Sequence, residues 1–284
     1  MSVDNSNSTE KMLDRVLGKG LGLLGKTAVI TGGAVNIGAS ISIKFASIGV
    51  KTVIIYNSSD EKALKLEKEI TASGGVCGIF KADLSCEKEV VELFQKIKND
   101  ERFGRVDILV NNSGIFTLSQ QTDLSEEDWQ KLFGINMTGT FLCCREAVKL
   151  MKEQSDLSGE DCQGCIINTA SINALHPGFG QTAHYDASKG AVYSYTKSLA
   201  AEIGGLGIRV NSISPGLVDS KSLRSGSAPL AEMVEQRNPL KLKDGKSTLV
   251  QPENVADAVV FLASNMAKAI TGENIVIDRG YLLS

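Results

Sequence analysis

The chain has 284 residues, of which 42% are hydrophobic and 22% charged, and its formal net charge is −3 at pH 7. This size and composition fit one large globular domain, and no linker rich in Pro or Ser divides the chain after residue 25. Lys and Arg are scattered among acids, which argues against nucleic acid as a partner. No apolar run approaches the ~20 residues of a membrane span, so the sequence predicts no membrane partner either.

The six cysteines are irregularly spaced, which is typical of reduced thiols in a cytoplasmic protein. Cys162 and Cys165 form a C-x-x-C pair, but zinc needs two further ligands and the chain has no second such pair. Cys165 opens a predicted strand, where a small apolar residue packs well. The sequence therefore predicts no metal site.

Residues 1–24 are polar and then amphipathic, without the basic segment and apolar core of a secretory signal. We expect them to form a partly disordered N-terminal arm outside a catalytic domain that spans residues 25–284.

Beyond residue 25, short β-rich apolar runs alternate with amphipathic helical patterns. This alternation predicts an α/β fold, a single Rossmann-type doubly wound domain with a seven-stranded parallel sheet and helices on both faces. The predicted strands are 27–31, 52–56, 76–80, 106–110, 165–169, 208–213 and 274–278. Helices are predicted after the first strand and at 61–72, 87–99, 125–151, 185–203 and 252–264. Residues 217–250 are irregular and polar, which is typical of a lid over substrate.

A glycine-rich turn joins the first strand to the first helix. Gly32 and Gly33 follow the strand, and the residues that open the helix are Asn36, Ile37 and Gly38. Backbone amides at a helix start, approached closely through glycine, hold a dinucleotide pyrophosphate. The spacing T-G-x-x-x-N-x-G differs from G-x-G-x-x-G, and a purely structural turn is the alternative.

The end of the second strand indicates which dinucleotide binds. An acid there would bond the ribose 2′-hydroxyl and repel a 2′-phosphate. The chain instead has an aromatic residue, two hydroxyls and an amide at this point, namely Tyr56, Asn57, Ser58 and Ser59. These residues favour NADPH or NADP over NAD, although no Arg or Lys lies within 32–38 or 56–59.

Polar or small residues follow three other strands at the edge where open α/β sheets bind ligands. Asp83 is expected to take the adenine amino group, to cap the next helix, or to do both. Asn111 to Gly114 are either cofactor contacts or a simple turn. The predicted cofactor contacts in these segments are Asp83, Leu84, Asn112, Ser113, Gly114, Pro215, Gly216 and Val218.

Tyr185 and Lys189 lie four residues apart at the start of a predicted helix, so their side chains share one face. An adjacent ammonium lowers the pKa of a phenol from its usual ~10, which makes Tyr185 a candidate general acid or base. Ser171 follows the fifth strand and can converge on the same oxygen. A surface Tyr and a solvated Lys at helical spacing are the alternative.

Two further polar residues, Asn136 and His184, bear on the roles of this pair. Asn136 lies inside a predicted helix, either as a satisfied polar core residue or as an amide that positions a water or a lysine. His184 precedes Tyr185 directly, and helical neighbours point about 100° apart, so His184 is not expected to replace the tyrosine.

From about Gly25 onward, the chain contains, in this order, T-G-x-x-x-x-x-G, N-N-x-G, a mid-helix Asn, a strand-end Ser, Y-x-x-x-K and P-G. This ordered set resembles the pattern of the short-chain dehydrogenase/reductase family. The resemblance implies that Ser171 orients a substrate carbonyl and Tyr185 exchanges the proton. It implies that Lys189 lowers the tyrosine pKa and holds the nicotinamide ribose, and that Asn136 supports a proton-relaying water. It also implies homodimers or homotetramers formed through the two long helices.

The chain departs from the family pattern at three points. Asn36 stands where the family usually has Gly, and we expect the turn to survive because Asn tolerates a left-handed φ. The motif N-N-A-G reads N-N-S-G here. The late D-G-G reads Asp278–Arg279–Gly280, which is expected to alter a subunit contact.

Residues 56–63 and the N-terminal arm resemble NADPH-dependent carbonyl reductases of the yeast type. The expected activity is reduction of a small-molecule ketone to a secondary alcohol. A 3-oxoacyl thioester reductase and an NAD(P)-dependent alcohol dehydrogenase of the same family are alternatives. A nucleotide-binding sensor without turnover is the alternative from a different class.

Overall fold

One parallel sheet organises the structure, a computed structural model that describes residues 14, 16–154, 163–220, 223–224, 228–242 and 247–284. Its strand order within these residues is β3-β2-β1-β4-β5-β6-β7, which confirms the predicted doubly wound fold. The strands are β1 (Thr27–Thr31), β2 (Lys51–Tyr56), β3 (Cys77–Lys81), β4 (Ile108–Asn111), β5 (Gly164–Thr169), β6 (Ile208–Pro215) and β7 (Asn274–Ile277).

Helices cover both faces of the sheet, so the central strands are buried on both sides and read as nearly continuous apolar runs. The helices are α1 (Asn36–Ser47), α2 (Asp60–Ala72), α3 (Glu87–Asn99), α4 (Glu126–Phe133), α5 (Gly139–Glu153), α6 (Ala183–Ile203), α7 (Ala228–Arg237) and α8 (Pro252–Ala263). Phe94 of α3 packs on one face of the sheet, and Phe45 of α1 packs with Val259 of α8 on the other.

The helix predicted over 125–151 is interrupted. A π-helical turn, Gly134–Thr138, separates α4 from α5. A π turn inserts one extra residue and changes the direction in which the local side chains point, and such turns are frequent at functional sites. Here the turn contains Asn136, whose side chain is fully buried.

The prediction that residues 217–250 are irregular is wrong in part, because α7 lies within them. Ala231 and Val234 of α7 are buried together with Leu249 and pack against Phe179 and Leu217. The short apolar face of α7 finds its partners in distant loops, so its sequence carries only a weak helical pattern. Residues 221–222, 225–227 and 243–246 lie outside the described residues.

The N-terminal arm was expected to lie outside the catalytic domain, but its described part packs against that domain. Leu23 is fully buried, and the carbonyl oxygen of Leu21 accepts a hydrogen bond of 3.0 Å from the backbone N–H of Asn265. Both leucines pack against the cluster that contains Phe45. Residues 1–13 and 15, on which the prediction of disorder falls, lie outside the described residues.

Arg279, the departure from D-G-G, adopts a positive φ of 55°. Its guanidinium donates to the carbonyl oxygen of Leu249 and to Oδ1 of Asn254, both at 3.1 Å. The arginine therefore ties the end of the 217–250 region to the start of α8. The expected change in a subunit contact stays a prediction.

The described part of the chain contains no helix that is both long and apolar enough to cross a membrane. Across the same residues, no cluster of His, Cys, Asp and Glu is arranged to hold a metal ion. Cys165 is buried in β5 as predicted, whereas Cys162, its partner in the C-x-x-C pair, lies outside the described residues.

Candidate active site

The candidate site lies at the carboxyl edge of the sheet, where the strand order reverses between β1 and β4. Thr31 connects the two strands there, because its Oγ1 accepts hydrogen bonds of 2.9 Å from the backbone N–H groups of both Asn112 and Ser113. The Asn112 amide also donates to the carbonyl oxygen of Thr31 at 3.2 Å. The N-N-S-G turn is thereby held against the glycine-rich turn.

The glycine-rich turn requires its glycines. Gly32 has a φ of +62°, and a Cβ on Gly38 would lie 2.1 Å from the carbonyl oxygen of Gly32. Asn36 has a φ of 46°, which confirms that asparagine maintains the left-handed conformation where the family usually has glycine.

The start of α1 suits an anion. Its N-cap, Val35, makes no side-chain hydrogen bond to the helix, and no acid occupies the first turn. The backbone N–H groups and the positive end of the helix dipole are thus free of competing side chains. Together with the close approach at Gly38, this fits the diphosphate of a dinucleotide.

Sequence reasoning missed a cation beside the predicted adenosine site. Lys81, the last residue of β3, pairs in parallel register with Tyr56, the last residue of β2. Its Nζ atom lies 3.1 Å from both carboxylate oxygens of Asp60 at the start of α2. Asn57 and Ser58 are exposed beside this pair, and Ser59 is half-buried. The pairing of β2 with β3, predictable from the fold, was the available signal.

Asp83 caps a turn rather than the following helix. Its Oδ1 accepts hydrogen bonds from the backbone N–H of Ser85 at 2.9 Å and from the Ser85 hydroxyl at 2.7 Å. The N-cap of α3 is Cys86, which makes no side-chain hydrogen bond. The capping prediction was wrong because the chain makes a full turn between Asp83 and the helix. The adenine contacts of Asp83 and Leu84 stay predictions.

Tyr185 and Ser171 come together as the sequence predicted. The Ser171 hydroxyl lies near enough to the phenol of Tyr185 to interact with it, and this interaction acts to lower the tyrosine pKa. Ser171 is 8% exposed and also accepts a 3.2 Å hydrogen bond from the backbone N–H of Asn173. The ring of Phe116 packs edge-to-face on the Tyr185 ring, with centroids 4.9 Å apart. The hydroxyls of Ser171 and Tyr185 are therefore close enough to bind the same substrate carbonyl oxygen.

The expected lowering of the Tyr185 pKa by Lys189 is not found. Burial raises the pKa of Tyr185 to about 12, and this effect outweighs the opposing effect of Ser171. The Nζ of Lys189 lies 5.9 Å from the centre of the tyrosine ring and donates to the carbonyl oxygen of Thr169 at 2.8 Å. Burial also lowers the pKa of Lys189 to about 8, because a buried ammonium loses its hydration.

Both the oxygen and the nitrogen of the Asn136 side-chain amide are hydrogen-bonded. Oδ1 accepts from the backbone N–H of Ile115 at 2.8 Å, and Nδ2 donates to the Ile115 carbonyl oxygen and to the Ser188 hydroxyl, both at 3.1 Å. Of the two alternatives for Asn136, these hydrogen bonds match the satisfied polar core residue. Its relay of protons through water stays a prediction.

The remaining predicted residues lie at the same edge. Pro215 ends β6, the N–H of Gly216 donates to the Ile277 carbonyl oxygen at 2.9 Å, and Val218 bridges to Val250. Their contacts with a cofactor stay predictions, as do those of Ile37, Ser113 and Gly114.

Comparison with known proteins agrees with this geometry. Residues 32–282 match a family model described as "Enoyl-(Acyl carrier protein) reductase". The chain is 34% identical to 3beta-hydroxysteroid dehydrogenase 1 of Eggerthella lenta over 92% of this chain and 95% of that protein. It is 33% identical to a 3-oxoacyl-[acyl-carrier-protein] reductase of Synechocystis over 92% of this chain and 98% of that protein.

Among solved structures, a short-chain type dehydrogenase/reductase from Mycobacterium marinum superimposes with a TM-score of 0.80 and 30% identity, over 92% of this chain and 97% of that one. The chain belongs to the short-chain dehydrogenase/reductase family and is an oxidoreductase of that family. These relatives are bacterial, and the resemblance to yeast-type carbonyl reductases stays a prediction.

Proposed function

We propose that this protein reduces a ketone to a secondary alcohol with NADPH, with Tyr185 as the proton donor. The observation that carries the proposal is the proximity of the Ser171 hydroxyl to the Tyr185 phenol, together with the burial that keeps the pKa of this phenol at about 12. At neutral pH the phenol therefore holds its proton, as a donor must.

Ser171 and Tyr185 act on the same carbonyl oxygen of the substrate, each in a different way. The Ser171 hydroxyl binds and orients that oxygen, and the Tyr185 hydroxyl transfers its proton to it as negative charge develops there. Lys189, whose Nζ lies 5.9 Å from the centre of the tyrosine ring, binds the nicotinamide ribose, and its positive charge assists proton transfer although burial sets the pKa of the resting phenol. NADPH, when bound, supplies the hydride.

The cofactor assignment rests on the two ends of the dinucleotide. The start of α1, with Gly32, Asn36 and Gly38, would hold the diphosphate. Near the ribose, Tyr56 replaces an acid, and Lys81 supplies a positive charge in the neighbouring strand. These features support NADPH over NADH.

Reduction of a 3-oxoacyl thioester is a second candidate. The observation in its favour is the 33% identity to the 3-oxoacyl-[acyl-carrier-protein] reductase of Synechocystis over nearly the whole of both chains. Oxidation of a ring hydroxyl is a related alternative, supported by the similarity to the hydroxysteroid dehydrogenase. The catalytic residues would be the same in each case.

We further propose a cytoplasmic homo-oligomer, a tetramer or dimer, with substrate entering beneath a lid within 217–250. Exposed aromatic side chains on α4 and α5, Trp129 at 38% and Phe141 at 39%, support association through these helices.

The test follows absorbance of the reduced nicotinamide with NADPH and NADH against neutral ketones and a 3-oxoacyl thioester. Faster oxidation of NADPH with one ketone class, abolished in Tyr185→Phe, is the expected result. No turnover of any carbonyl compound, with tight NADPH binding, would contradict the proposal and favour a sensor.

A further inference from the structure

The segment 115–119, which follows the N-N-S-G turn, lies directly beside the catalytic tyrosine. At its start, both backbone polar groups of Ile115 are bonded to the buried amide of Asn136. At its end, the N–H of Ser119 donates to the carbonyl oxygen of Gln181 at 3.0 Å. The segment is therefore fixed to two different elements around the site.

Phe116 is the residue of this segment that contacts Tyr185. The two rings meet edge-to-face at 4.9 Å, yet Phe116 remains 53% exposed. A large apolar ring that is held against a catalytic group, and still has half of its surface free, is available to a second apolar partner. Leu118, two residues on, is 58% exposed and extends the same segment.

A partly buried hydrogen bond holds Phe116 in place. The hydroxyl of Thr117 and Nε2 of His184 lie 2.8 Å apart, and His184 is only 1% exposed. Thr117 follows Phe116 and His184 precedes Tyr185, so the bond joins the neighbours of the two packed rings. This gives His184 a positioning role that its place beside Tyr185 did not reveal.

Charged side chains are absent from the two described segments that flank the hydroxyl pair. Residues 113–122 and 171–185 contain no Lys, Arg, Asp or Glu. The next acid, Asp186, uses its carboxylate to accept hydrogen bonds from Asn173, Gly178 and Thr182. A carboxylate or phosphate on the substrate would find no cation within these two segments to compensate its desolvation.

We propose that Phe116, held by the Thr117–His184 hydrogen bond, selects an uncharged ketone whose larger substituent is a flat apolar ring. The inference rests on the proposed ketone reduction and specifies its substrate class. An aromatic substituent gains edge or face contact with Phe116, which an equally large saturated ring gains less well. An anionic substituent is disfavoured.

The experiment measures kcat/KM with four methyl ketones: acetophenone, cyclohexyl methyl ketone, 4-acetylbenzoate and butanone. The wild-type protein is expected to prefer acetophenone to 4-acetylbenzoate by at least about tenfold. Phe116→Leu keeps an apolar side chain and should reduce the preference for acetophenone over cyclohexyl methyl ketone about fivefold, mainly through KM. The ratio of the two kcat/KM values reports on the ring contact, because any effect of Phe116→Leu on Tyr185 applies to both ketones alike.

The positioning role is tested with a matched pair of variants. Thr117→Val keeps the shape of the side chain but removes the hydroxyl, and should raise KM for acetophenone about threefold, with a smaller rise for butanone, which has no ring. Thr117→Ser keeps the hydroxyl and should restore the wild-type KM. Equal effects of the two variants would overturn the role of the hydrogen bond.

Different experimental outcomes would overturn this inference and the proposed ketone reduction. Turnover of 4-acetylbenzoate as efficient as that of acetophenone, with Tyr185→Phe inactive on both, would overturn the substrate class and leave ketone reduction standing. An unchanged ring preference in Phe116→Leu would overturn the role of Phe116. Absence of turnover with all four ketones and a 3-oxoacyl thioester would overturn both proposals.

Discussion

Lys81 lies in parallel register with Tyr56 at the carboxyl ends of adjacent strands and forms an ion pair of 3.1 Å with Asp60. Both members of that pair are about half exposed, so the pair itself contributes little to stability. Its position beside the predicted ribose site gives it a different significance. We expect the ammonium to share its hydrogen bonds between this carboxylate and the 2′-phosphate of NADPH.

The first prediction follows from this position. Lys81→Met removes the charge and keeps much of the apolar stem, and should weaken NADPH binding by about three- to tenfold while leaving NADH binding within about twofold. Fluorescence titration of both reduced cofactors measures the two affinities. As the matched control, Lys62→Met removes an exposed lysine of α2 and should leave both unchanged. An equal loss for both cofactors in Lys81→Met would contradict the assignment.

The second prediction concerns the proton donor. Tyr185→Phe keeps the ring that packs on Phe116 but removes the hydroxyl, so turnover should fall at least about 100-fold, the lower range for one general acid. NADPH affinity should stay within about threefold. Tyr193→Phe, on the same helix, is the control and should retain activity. Retention of more than about a tenth of wild-type activity in Tyr185→Phe would exclude this tyrosine as the donor.

The third prediction is a pH dependence. Because burial lowers the pKa of Lys189 to about 8, the side chain is charged below that pH and neutral above it. If the charge supports proton transfer from Tyr185, kcat/KM for ketone reduction should decline as the pH rises through about 8. The tyrosine, with a pKa of about 12, stays protonated over this range.

A second variant identifies the group responsible for this decline. Lys189→Arg keeps a positive charge at all accessible pH values, so any remaining activity should lose the decline near pH 8. A wild-type profile that stays level to pH 10 would show that the charge of Lys189 is not required.

The fourth prediction tests the diphosphate site. A methyl group on Gly38 would lie 2.1 Å from the carbonyl oxygen of Gly32, so Gly38→Ala must displace the turn. NADPH affinity should fall at least about tenfold, and overpacking of this kind lowers the free energy of unfolding by about 1–3 kcal/mol. Gly205→Ala, where a Cβ meets nothing within 4 Å, is the control. Thermal melts with and without NADPH separate the two effects, and unchanged NADPH affinity in Gly38→Ala would contradict the assignment.

Much of the fold was predictable from local pattern. β1 and α3 have the predicted bounds, since an apolar run and an amphipathic period are properties of short windows of sequence. The proximity of Ser171 to Tyr185 was also predictable, because parallel strands present their carboxyl ends at one edge and the helix after β5 begins there. Residue type and spacing thus indicated the family and the candidate catalytic residues.

The sequence by itself determined the alternation of strands and helices, the glycine-rich turn and the spacing of Tyr185 and Lys189. Tertiary structure decided what depends on distant partners: the π turn at Asn136, the burial of one face of α7, and the register that places Lys81 beside Tyr56. It also decided the ionisation of the site, where removal from water raises the pKa of Tyr185 and outweighs the opposing effect of Ser171. Desolvation depends on every group packed around an atom, and that environment is assembled only when the chain folds.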